Sequence, residues 1–100
     1  MANLHAELMT AKAVQDIALP ILEKALAPFG FQRVTVNEEE DFDGDHIFRM
    51  TAHVQTKVPA NTLIDALDAI HHALRSKGED RFVYLSTKRP AEDEIDEDVE

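Results

Sequence analysis

The stretch FQRVTVNEEEDFDGDHIFRMTAHVQTKV, residues 31–58, decides the fold. Over 31–38, Val34 and Val36 alternate with Arg33, Thr35 and Asn37, the pattern of a strand with one buried face. Over 46–58, Phe48, Met50, Ala52 and Val54 fall on one side, and Arg49, Thr51, His53 and Gln55 on the other. Between the runs lie Glu38, Glu39, Glu40, Asp41, Asp43 and Asp45, with Gly44 among them. Asp-Gly between two alternating runs signals a hairpin, because glycine tolerates the positive φ that tight turns demand. The stretch predicts a β-hairpin with an acidic tip.

The tip has two other readings, a partner-binding surface and a weak divalent-cation site. A calcium loop of the EF-hand type needs oxygen ligands at its positions 1, 3, 5 and 12, with glycine at 6. Starting from Glu39, the chain supplies Glu39, Asp41, Asp43 and Gly44 in the first four of these places. The bidentate glutamate is then replaced by Met50, and the flanking elements are strands where the motif requires helices. The pattern fails as an EF-hand.

Working outward, apolar residues at spacings of three and four from Leu4 to Phe29 predict a helix over 10–27, bent at Pro20 and stopped by Pro28 and Gly30. A second helix follows Pro59. Thr62 with Asp65 resembles a capping box, Leu63, Leu67, Ile70 and Leu74 form the apolar stripe, and Gly78 ends it. RFVYLST, 81–87, predicts a third strand. The fold class is α+β: a two-layer α-β-β-α-β sandwich whose three-stranded sheet carries both helices on one face. A single domain spans 1–88, and the acidic tail 89–100 is expected to be disordered.

The formal net charge of −10 is concentrated in two places. Residues 38–45 and the tail 89–100 each contribute −6, while 1–37 is neutral and 46–88 carries +2. With ten basic residues against twenty acids, naked nucleic acid is a poor ligand. No apolar run approaches the roughly 18–20 residues of a membrane span, and no secretory signal opens the chain. Cysteine is absent, which removes disulfides, thiolate zinc sites and thiol nucleophiles, and a cytoplasmic location is the default expectation.

The remaining chemistry-bearing residues point away from catalysis. His71 and His72 are adjacent on a helix and project about 100° apart, so they cannot chelate together from one face. His46 beside Asp43 and Asp45 could hold a metal only adventitiously, and neither a native metal nor a cofactor is expected. Asp65 and Asp68 read as a solvated helix face, with Asp68 in reach of His72 at i+4. Ser76 and Ser86 lack a nucleophile-elbow context, and no glycine loop cradles phosphate. Phe29, Phe31, Phe48 and Phe82 read as core, with Tyr84 as an exposed candidate. The candidate contact residues are Arg49, Thr51, His53 and Gln55 on the polar sheet face, and Asp41, Asp43 and Asp45 at the tip.

LPILEKALAPFGFQRVTVNEEED followed by DHIFRMTAHV resembles the N-terminal domain of the bacterial ribosome maturation factor RimP family, at Pro20, Leu22, Gly30, Phe31, Val34, Val36, Ile47 and Arg49. The resemblance spans about residues 17–87 and implies the same order of elements and a ribosome-associated role. The chain departs from the family at YLSTKRPAED, where the family has a Leu-Glu-Val-Ser-Ser-Pro-Gly segment, and no counterpart of the family's second, barrel-like domain is expected within these residues.

Three functions compete. The first is a small acidic, non-enzymatic module that binds a protein partner, or a second copy of itself, through open strand edges. The second is a ribosome- or RNA-associated factor, for which a basic ribosomal protein is a better target than bare RNA. The third is an acidic mimic of nucleic acid, with 38–45 and 92–100 standing for a phosphate row.

Overall fold

A computed structural model describes residues 9–90. Its elements are helix α1 (Ala11–Leu26), a 3₁₀ turn (Ala27–Phe29), strands β1 (Arg33–Glu40) and β2 (His46–His53), helix α2 (Ala60–Arg75) and strand β3 (Phe82–Lys88). This is the expected α-β-β-α-β order. Leu4, Leu8 and most of the acidic tail lie outside the described residues, as does the disorder expected of that tail.

Helix α1 starts where Thr10 caps it, its hydroxyl oxygen accepting the Ala13 N–H at 3.1 Å. It runs on through Pro20, and Val14, Ala18, Leu22 and Leu26 recur every fourth residue as its buried stripe. Gly30 follows the 3₁₀ turn with φ of 75°. An added Cβ there would lie 2.7 Å from both Cβ and Cγ of Gln55, so the position demands glycine twice over. Gly30→Ala is expected to cost about 2–3 kcal/mol in chemical denaturation. A loss under about 0.5 kcal/mol would show that the Gln55 loop gives way freely.

The sheet order is β1-β2-β3, with β1 antiparallel to β2 and β2 parallel to β3. The longest alternating segment thus sits at the centre, and β3 pairs with β2. Val34, Val36, Phe48, Met50, Ala52 and Val83 face the helices and are buried. α1 packs over β1, and α2 packs against α1 and β3. Among the described residues the opposite sheet face carries no element, as expected of a sheet with one solvated side.

Three local expectations are corrected. Helix α2 begins at Ala60, ahead of Thr62, and neither Thr62 nor any other side chain caps it. Pro59, with φ of −62° and ψ of 150°, already holds the cap conformation, and its carbonyl accepts the N–H groups of Thr62 and Leu63. Strand β2 ends at His53 rather than running to 58, so Gln55 leaves the polar face. The Gln55 N–H instead donates to the Phe29 carbonyl at 3.0 Å, tying the loop to the 3₁₀ turn. Phe82 is 47% exposed rather than core. Val83 points toward the helices, so its strand neighbours Phe82 and Tyr84 must point the other way.

Candidate functional site

The acidic run is largely consumed in building the hairpin. Asp41 organises the turn: its Oδ1 accepts the N–H groups of Asp43 (2.9 Å) and Asp45 (3.0 Å), and its carbonyl accepts that of Gly44 (2.9 Å). The three glutamates belong to β1, and each has a basic side chain beside it. Glu39 accepts from Arg49 Nε at 2.7 Å, Glu40 lies 3.9 Å from His46 Nε2, and Glu38 lies 3.5 Å from Arg81 Nη1. Carboxylate oxygens of Asp41, Asp43 and Asp45 come within 4.8 Å of one another, a spacing common among exposed acids without an ion.

The open face is read row by row from the register. Glu39, Ile47 and Phe82 lie abreast at the tip end, then Asn37, Arg49 and Tyr84, then Thr35, Thr51 and Ser86, and finally Arg33, His53 and Lys88. Three expected contact residues, Arg49, Thr51 and His53, therefore do share one face along the central strand. Asp41, Asp43 and Asp45 gather at its acidic end, and Gln55 is elsewhere. The face is polarised, with acids at one end and basic groups at the other.

Two aromatics missing from the expected contact set dominate the tip end. Phe82 and Tyr84 (42% exposed) meet edge to face with ring centroids 4.8 Å apart. The Arg49 guanidinium lies 5.5 Å from the Tyr84 ring centroid, and its hydrogen bond and charge pairing with Glu39 raise its pKa. Beside them opens a concavity of about 550 Å³, walled by Asp41, Asp45, Asp80, Phe82 and Tyr84 over Ile47. Ile47 is only 2% exposed although it belongs to the open face, so the concavity has an apolar floor. His46 and Arg81 also reach its lining.

The edge of the concavity is braced from behind by groups that sequence patterning does not reveal. Glu79, 2% exposed, receives both Nε and Nη2 of Arg81 at 2.8 Å, together with the N–H groups of Arg81 and Met9. Arg81 Nη2 also donates to the Met9 carbonyl at 2.7 Å, and its guanidinium lies 4.3 Å from the Phe48 ring centroid. The hydrogen bonds from Arg81 outweigh burial and hold the Glu79 carboxyl down at about 2. One buried ion pair thus joins the chain ahead of α1, the end of β1 and the start of β3. The only sequence signal is the Glu-x-Arg spacing in GEDR, which is too common to single out.

His71 is buried and also structural. Its Nε2 accepts the Val83 N–H at 3.0 Å, which requires the neutral ring protonated on Nδ1. Burial, helped by Arg75 and opposed by Asp68, lowers its pKa. The ring stacks at a tilt on Phe82, 4.9 Å between centroids. It therefore covers the first outward amide of the β3 edge and fixes the aromatic that walls the concavity.

No helix among the described residues is long and apolar enough to cross a membrane. Compared with known proteins, no family model matches the chain, and no curated protein or solved structure matches it well enough to count as a relative.

Proposed function

We propose that the chain is a non-enzymatic protein-binding module, cytoplasmic in setting, that grips a protein partner with the tip end of its open sheet face. The observation that carries this reading is the Phe82–Tyr84 pair, two large rings nearly half exposed on a face that no element among the described residues covers. Exposed aromatics set among polar groups are the usual anchors of interfaces. Arg49, His71, Glu79 and Arg81, whose pKa values are displaced, are each engaged within the fold, which favours binding over acid–base work.

The test is capture from native lysate at physiological salt, with and without ribonuclease. Tyr84→Ala is expected to lower retention of a stoichiometric protein at least about tenfold, as loss of an interface anchor does. Unfolding of that variant should match the wild type. Retention unaffected by the substitution would overturn the reading.

A ribosome-associated role is the second reading. It is favoured by the row Arg33, His53 and Lys88 at the other end of the face and by the RimP-like order of elements. It predicts captured ribosomal proteins and a steep loss of binding with salt.

A further inference from the structure

The reading above leaves the partner's chemistry open, and the concavity at the tip supplies it. Resting on that reading, we propose that the concavity is a slot for an arginine side chain presented by an extended basic segment of the partner. Its walls pair carboxylates with ring surface, the combination that holds a guanidinium, which is planar, always charged and weakly hydrated. Asp41, Asp45 and Asp80 supply the charge, and Phe82, Tyr84 and Ile47 supply the apolar surface.

Three observations set the sign of the occupant. Among the described residues, the side chains of Asp45 and Asp80 take part in no hydrogen bond or ion pair, so their charge remains to be matched. The guanidinium that reaches the lining, that of Arg81, is directed at Glu79, Glu38 and the Met9 carbonyl, and does not neutralise them. His46 lies against Glu40. An anionic ligand would meet uncompensated carboxylates here, whereas a basic segment is also drawn by the chain's net charge of −10.

The chain contains a small version of the same contact one row away. Arg49 sits between the Glu39 carboxylate, at 2.7 Å, and the Tyr84 ring, at 5.5 Å from its centroid. A partner's arginine would meet Asp80 and the Phe82–Tyr84 pair in the same manner, with Asp41 and Asp45 closing the other side.

The probe is N-acetyl-arginine amide, titrated into the ¹⁵N-labelled full chain at low salt, with N-acetyl-citrulline amide as its uncharged isostere. Amide shifts are expected to saturate and to stay within 41–47 and 80–84, with citrulline binding weaker by about fivefold or more. Asp80→Asn and Tyr84→Leu should each weaken the arginine probe about threefold or more, the first removing charge and the second the ring. Equal binding of citrulline would overturn the slot. So would shifts spread over the other exposed acids, such as Glu23, Asp65 and Asp68. If capture of the partner depends on Tyr84 but the probe does not localise, the module stands and the slot falls. If the probe localises but no captured protein depends on Tyr84, the module reading falls instead.

Discussion

Glu79→Ala is expected to lower the free energy of unfolding by about 3–5 kcal/mol, the cost of removing one partner of a largely buried ion pair. Arg81 keeps only Glu38, at 3.5 Å, and the Met9 carbonyl after this change, and the Met9 N–H loses its acceptor. For a domain whose whole stability is of the order of 5–15 kcal/mol, such a loss is severe. It should appear in denaturant unfolding as a lower midpoint at unchanged slope. The pH dependence gives an independent check. The folded Glu79 carboxyl titrates at about 2, below its ordinary value of 4.5, so its stabilisation is complete above pH 4.5 and is lost as pH falls toward 2. Across that window the wild type should lose about 3 kcal/mol more than Glu79→Gln, which has no carboxylate to protonate. Parallel curves for the two proteins would show that the ion pair adds no net stability.

Phe48→Ala has the other large effect, an expected loss of about 3–5 kcal/mol. Phe48 is fully buried near the start of the central strand, between Glu38 and Val83 in register. Its removal leaves a cavity in the core cluster to which both helices contribute and takes away the ring against which Arg81 lies at 4.3 Å. Phe48→Leu keeps most of the volume and should cost only about 1–2 kcal/mol. The two sites also share Arg81, so Phe48→Leu and Glu79→Gln should not be additive, with a coupling of about 0.5–1 kcal/mol in a double-mutant cycle. Strict additivity would mean that the ring and the ion pair hold Arg81 independently.

The two predictions concern residues of unequal visibility. Phe48 announces itself, because it begins an alternation that Met50 and Ala52 continue, and such alternation has one structural meaning. Glu79 sits in GEDR, between a helix end and a strand, where charged residues are the rule and burial the exception. Its role depends on Met9, seventy positions away, which local patterning cannot reach. The candidate site divides along the same line. Arg49, Thr51 and His53 were readable as one face from their spacing, whereas Gln55 followed the same spacing off the end of a strand that stops at His53. For Phe82 aromatic character suggests burial, whereas its position beside Val83 dictates the open face.

By itself the sequence determined the number, type and order of the elements and the acidic turn, because each rests on interactions within a few residues: helical stripes, strand alternation, Asp-Gly. Only the tertiary structure decided that β3 lies beside β2. It alone brought Asp80, Phe82 and Tyr84 against the tip, buried Glu79 with Arg81, and turned His71 into an acceptor for Val83. These are contacts between distant segments. Their partners are selected by which edge and which face remain available once the helices have covered one side of the sheet, and no local periodicity carries that information.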